Sequence, residues 1–436
     1  MLVALAALTV LQVVNVQDHS RFCLTHELPH ARLAIDDCIG NGIDRSRYGG
    51  HLYTNKAPGM SVLAVPAAEA VRLSPAAERE RAYPSWRLWL VRVFASGLPF
   101  LLVAFLAGRV SESLEPGTGG VALVTIALGT LAAPFAASGF DHLPAAAFGF
   151  AAFVLAWRRR PLAAGLAAGA MVLCEYESAL VALVVGAYVV LQGRRAVRDY
   201  VLGVLPGAIL LGAYDWAAFG APWHNPLSYS DNRYRAVTHK GVLGIQLPSL
   251  HATHLVLWGR GGLAVLSPVL VACIAGLVVL WRRGLRAEVA VCATVAAGYI
   301  VAACGYFDPY GGASPGSRFV IPALPFLFVG LGPALRRWRL PTLVLALASV
   351  AASMAVTLTW SRYPIFVHGV WGAVVRAPIE GGSSELATHL SHNALGWIGL
   401  DAGRSAVIVC FFTLYAVGLG AAAVFRRAAP ERASTS

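Results

Sequence analysis

Charge is scarce in this chain, and lysine is scarcer still. Only 13% of the 436 residues are charged against 57% hydrophobic, and there are just two lysines, Lys56 and Lys240. That composition excludes a soluble globular protein of this length. Zinc-type spacing of cysteine and histidine is missing, so no metal site is expected. There is neither a low-complexity tract nor a short-period repeat, which sets aside fibres and solenoids. The net charge of +12 does not imply nucleic acid. The arginines sit in short clusters between apolar runs, where they read as topology signals, and the partner they imply is the lipid bilayer.

Seven cysteines are present. Cys174, Cys273, Cys292, Cys304 and Cys410 fall in or beside apolar runs, where cysteine behaves as a small hydrophobe. Cys23 and Cys38 share one polar loop, so a disulfide can form if that loop is extracytoplasmic.

Apolar stretches near the ~20 residues needed to cross a bilayer occur at about 1–16, 88–109, 120–138, 143–157, 161–174 and 179–192. Six more lie at about 199–219, 262–281, 287–304, 319–335, 340–359 and 405–425. The expected fold is therefore an all-α polytopic membrane protein with about twelve transmembrane helices. Residues 1–425 would form one integral membrane domain and 426–436 a cytoplasmic tail. Arginine clusters at 158–160, 194–198, 282–286, 336–339 and 426–427 each follow an even-numbered span. By the positive-inside rule both termini are cytoplasmic, and loops 17–87, 220–260 and 360–404 are external. The segment 58–73 is short and carries Glu69, Arg72 and an internal Pro66, so it is expected to lie in the outer interface. All twelve histidines then fall on the external side, which marks that side as the chemical one.

The first external loop opens on Gln17-Asp18-His19-Ser20-Arg21-Phe22, passes through Glu27, Asp36, Asp37 and Asp44, and closes on Lys56. A carboxylate at the membrane boundary can act as a general base for a hydroxyl, while Lys56 and Arg21 could hold a lipid phosphate. Asp18 also reads as a solvated charge where a helix leaves the membrane, and Lys56 as a lysine snorkelling at the interface. Glu175 and Glu177 end the fifth stretch, where boundary acids are costly unless used or paired, for instance with Arg318. His224, Arg233, Tyr234 and Arg235 belong to an aromatic, basic loop suited to stacking on a sugar and gripping a phosphate.

The acid with Ser-Arg-Phe after the first span, the run Gly49-Gly50-His51-Leu52-Tyr53-Thr54-Asn55-Lys56-Ala57-Pro58-Gly59 and the following interfacial helix resemble the GT-C glycosyltransferases. The likeness is to the family 39 kind, which includes protein O-mannosyltransferases and lipid A aminoarabinose transferases. It implies that Asp18 is catalytic and that Lys56 contacts the carrier phosphate, with His51, Tyr53 and Asn55 beside it. In Gly139-Phe140-Asp141-His142, Asp141 matches a second functional acid, or else a helix cap. Arg318-Phe319-Val320-Ile321-Pro322-Ala323-Leu324-Pro325 matches a stretch common in these proteins and offers Arg318 to the phosphate. The chain departs from the pattern at Asn55, where relatives often carry an acid, and at Asp18-His19, which leaves one carboxylate of a usual pair.

The resemblance implies transfer of a sugar from a polyprenyl phosphate to an acceptor hydroxyl on a protein, glycan or glycolipid. Inversion is expected, with no cofactor, at the outer face of the plasma membrane. Two other readings fit the span count: a twelve-helix secondary transporter, and a non-catalytic protein of envelope assembly. A transporter should place its polar residues near the midplane between two related halves, whereas here they crowd one face.

Overall fold

The computed structural model describes residues 1–40, 44–231, 240–241, 244–360 and 390–426. Helices make up most of it. Five of them, Trp86–Leu114, Arg194–Phe219, Arg286–Gly305, Arg339–Thr359 and Ala402–Phe425, are long and apolar enough to cross a membrane. The pair Arg318–Phe328 and Leu331–Arg337, bent by 53°, adds a sixth if counted as one span. Shorter apolar helices include Gly119–Leu128, His142–Trp157, Pro161–Cys174 and Val269–Arg282. The chain is a multi-pass membrane protein, with Leu183, Ile209, Leu210, Leu340 and Leu414 exposed on its helices as lipid-facing side chains are.

Two expectations need correcting in detail. The stretch 1–16 is helical only over Leu2–Leu8. Beyond Thr9 the chain is extended, because Leu11 N–H donates to the His392 carbonyl at 2.8 Å and Val10 bridges Asn393. Asn15 then caps a new helix, Val16–Glu27, inside what reads as a polar loop. The stretch 120–138 likewise breaks after Leu128, and only a short helix, Ala132–Phe135, follows. Twelve full-length spans are thus not what these helices make.

Nor is the chain purely helical. Strands β1 (Arg45–Tyr48) and β2 (His51–Thr54) pair antiparallel, with Arg45 opposite Thr54 and Tyr48 opposite His51. Gly49 and Gly50, at φ 57° and 90°, form the two-residue connection. Two successive positive φ values suit the tight turns whose twist matches a hairpin, and glycine takes them without a Cβ clash. Helical periodicity says nothing about such a hairpin, so it was not foreseen.

One large core runs from Val3 to Ala416 through most of the helices. Where Pro161–Cys174 packs on Arg194–Phe219, small residues set the distance: a Cβ on Gly165 would stand 2.1 Å from the Tyr200 carbonyl oxygen. Gly165 and Gly169 face Gly203 and Gly207, the close backbone approach by which apolar helices associate in lipid. A smaller core of Tyr214, Ala218 and Phe219 with Cys23, Leu24, Ile35, Cys38 and Ile39 seats the hairpin end of the molecule.

Candidate functional site

The Val16–Glu27 helix starts with a capping box. Asn15 Oδ1 accepts from the amides of Gln17 and Asp18, and Asp18 Oδ2 accepts from the Asn15 amide at 2.8 Å. The same Asp18 carboxylate takes Arg92 in a two-point contact, Nε to Oδ1 at 2.9 Å and Nη2 to Oδ2 at 2.5 Å. Arg92 also donates to the carbonyls of Gln12 and Val13, and both side chains are sealed from solvent. Gly139 closes over them, since a Cβ there would stand 2.1 Å from Asp18 Oδ1. In this arrangement Asp18 does not face an open space.

One turn on, Arg21 bridges the same element to the loop before His142. It donates to the Gly139 carbonyl at 3.0 Å and to Gln17, and its Nη2 lies 2.5 Å from Asp141 Oδ2. Burial pushes the Asp141 carboxyl up, but Arg21, His142 and Lys56 together hold it below the usual carboxylate range. His19, also on this helix, is pushed below its ordinary value by burial and by Arg79 and Arg92, against Asp18.

The hairpin explains how Lys56 is held. Pairing of Arg45 with Thr54 brings Asp44, just before β1, beside Lys56, just after β2. Their Oδ1 and Nζ are 3.4 Å apart, with both side chains partly exposed, at 15% and 19%. Thr54 Oγ1 accepts the Lys56 amide at 3.2 Å and shares a hydrogen bond of 2.5 Å with Ser20 Oγ. The disulfide between Cys23 and Cys38, with Cα atoms 5.6 Å apart, ties the Val16–Glu27 helix to the short helix Asp36–Ile39. Asp36 in turn accepts from the Leu52 amide of β2 at 2.8 Å. On the other side Ser46 Oγ donates to the Pro226 carbonyl at 2.6 Å, and Arg47 pairs with Asp231 at 3.1 Å.

Arg318 arrives from far along the chain. Its guanidinium lies over the Phe140 ring at 4.5 Å, and Asp44, Asp141, Arg21 and Tyr306 all act on its charge. Among the described residues no carboxylate or carbonyl takes it in a hydrogen bond, and its Nε is buried without a partner. The expected pairing of Glu175 and Glu177 with Arg318 is not seen. Glu175 is instead buried against His142, Nδ1 to Oε1 at 2.7 Å, and accepts from Ser178 at 2.8 Å, which shares 3.0 Å with Tyr299 OH. Glu177 is exposed and Arg318 half-buried.

The remaining candidates lie elsewhere or are spent on structure. His51, exposed at the turn end of β2, bonds Asp36 at 2.9 Å. Tyr53 packs on Phe219 at 5.3 Å between ring centroids, and burial with Asp36 nearby raises its hydroxyl above the ordinary value. Asn55 is buried with its Oδ1 unpartnered. Glu27 pairs with Arg32 at 2.6 Å, and His224 bonds the Phe219 carbonyl and Tyr229 within an aromatic cluster. Arg233 lies outside the described residues. One donor atom each from Asp141, His142 and Glu175 falls within 4.8 Å of the others, a spacing a cation could use. Asp141 is paired with Arg21 and His142 Nδ1 with Glu175, while His142 Nε2 is buried without a partner among the described residues. Sequence reasoning missed Arg92 and passed over Asp44. Arg92 had a signal: an arginine inside an apolar run needs a buried partner.

No protein-family model matches the chain, and no curated protein matches it. Two crystal structures do. ArnT from Cupriavidus metallidurans bound to undecaprenyl phosphate covers 98% of this chain and 76% of that one, at 14% identity and a TM-score of 0.50. This chain shares the ArnT fold. The apo form of the same protein covers 98% and 75% at 17% identity, with a TM-score of 0.49. At these identities the likeness to ArnT is one of fold, which agrees with the resemblance to GT-C enzymes read from the residues.

Proposed function

We propose that the chain is a membrane glycosyltransferase that moves a sugar from a polyprenyl phosphate to an acceptor hydroxyl. The acceptor is on a protein, glycan or glycolipid at the extracytoplasmic face of the plasma membrane. The observation that carries this reading is Lys56 Nζ at 3.4 Å from Asp44, with Arg318, distant in sequence, acting electrostatically on the same acid and both cations acting on Asp141. The ArnT fold, in a protein that binds undecaprenyl phosphate, supports a lipid-linked donor. The Cys23–Cys38 bond supports an oxidising, external setting for this end of the molecule. The arginine clusters support both termini inside, and Gly59–Val71 is then a helix of the outer interface.

Lys56 and Arg318 stabilise the charge that builds on the departing phosphate. The acceptor oxygen attacks the anomeric carbon as the carbon–phosphate oxygen bond breaks, in a single inverting displacement, and a carboxylate of the site takes the hydroxyl proton. Asp141, held ionised by its cations, is better placed for that than Asp18, which organises the helix start through Arg92. The phosphate leaves without protonation, so no metal or cofactor is required. Lys56→Ala should abolish most binding of undecaprenyl phosphate and most turnover while the protein still folds. Wild-type binding in that variant overturns the clamp.

A further inference from the structure

The cations of this end of the molecule differ in what they already hold. Arg92 has the Asp18 carboxylate and two carbonyls, and Arg21 has Asp141, Gln17 and the Gly139 carbonyl. Both already hold a buried carboxylate, although Arg21 Nε, like that of Arg318, has no hydrogen-bond partner among the described residues. Among the described residues Lys56 has one anionic partner, Asp44, at 3.4 Å, longer than the ~2.7–2.9 Å of a close charge-assisted hydrogen bond. Among the same residues Arg318 has aromatic faces and no anion in contact, yet Asp44 is the first charge acting on it. Asp44 is therefore the carboxylate common to the two cations left open.

We infer that Asp44 competes with the donor phosphate for Lys56. This rests on the phosphate clamp proposed above and gives it a release step. A donor phosphodiester with one negative charge displaces Asp44 from the ammonium. After transfer the product is a monoester of higher charge, which the two cations would hold more tightly. A carboxylate fixed beside Lys56 by the hairpin pairing works against that hold and returns to the ammonium as the lipid phosphate leaves. The exposure of both partners lets the exchange proceed without desolvating a buried ion.

A merely structural Asp44, which orders Lys56 for the phosphate, predicts the opposite sign. The test is binding of undecaprenyl phosphate to the full chain in lipid nanodiscs, comparing wild type with Asp44→Asn, Asp44→Ser, Asp44→Glu and Lys56→Ala. Removing the charge should tighten binding about fivefold, the scale of a partly exposed ion pair. Asp44→Glu should stay near wild type and Lys56→Ala should lose binding. Two uncharged variants guard against one that does not fold. If both bind the lipid as wild type does, or more weakly, while Lys56→Ala loses it, the competitor role is wrong and the clamp stands. If Lys56→Ala binds like wild type, the clamp falls and the competition with it.

Discussion

Two kinds of ion pair, each an aspartate with a basic side chain, divide the labour around the hairpin. Asp18–Arg92 and Arg21–Asp141 are closed: their side chains are almost wholly buried, with several acceptors around each arginine. Asp44–Lys56 is open, a single contact at 3.4 Å with both side chains partly exposed, and Arg318 has no anion in contact among the described residues. The Asp18–Arg92 pair is scaffold, and Arg21 is the anchor of Asp141. A buried pair is costly to break because the survivor is left as an uncompensated charge, whereas an open pair can change partners at little cost. Sequence position alone gives no such distinction, since the partners of each pair are set by the fold.

The comparison can be broken most severely at Arg92. Arg92→Ala strands Asp18 and should cost about 3–5 kcal/mol, read as a large fall in the unfolding midpoint or as loss of folded protein. Folding close to wild type would show that the Asp18–Arg92 pair is not scaffold. Next comes Gly139→Ala, whose Cβ would meet Asp18 Oδ1 at 2.1 Å. Overpacking of that kind should cost about 1–3 kcal/mol, and Asp18→Ala should relieve part of it in the double variant.

A smaller effect sharpens the comparison through pH. The Asp141 carboxyl is held below its ordinary value. Its contribution to stability is therefore fully present above the unfolded value of about 3.9 and is lost as pH falls through the lower folded one. Thermal unfolding measured down through that range should show an acid limb that flattens in Asp141→Asn. The smallest change is expected in the exposed pair Arg47–Asp231, where Arg47→Ala should move stability by no more than about 0.5 kcal/mol. A loss comparable to that of Arg92→Ala would mean that exposure is not what separates the two sets.

Much of the helical body was legible in the residues. Stretches such as 143–157, 161–174 and 287–304 carry helices close to where apolar content and arginine clusters put them. Of the residues singled out, Asp18 is held by Arg92, Arg21 meets Asp141, and Lys56 meets Asp44. What failed were the places where local pattern and tertiary pairing disagree. Residues 10–15 read as span, but Thr9, Val10 and Leu11 pair in extended form with 392–394. Residues 45–54 read as loop but form a hairpin, because two glycines make its turn, Ser46 finds a partner outside it and Asp36 accepts from Leu52 within it. Asp44 looked like one acid among several until that pairing set it across from Lys56.

Composition, hydrophobic run length and arginine placement belong to the chain one segment at a time, so the sequence by itself determined a multi-pass helical protein. Which acid meets which base is a matter of distances between residues as far apart as 18 and 92, 21 and 141, or 44 and 318. Only packing of the helices and pairing of the hairpin fix those distances. The tertiary structure alone therefore decided which charges are buried as framework and which remain free to exchange partners.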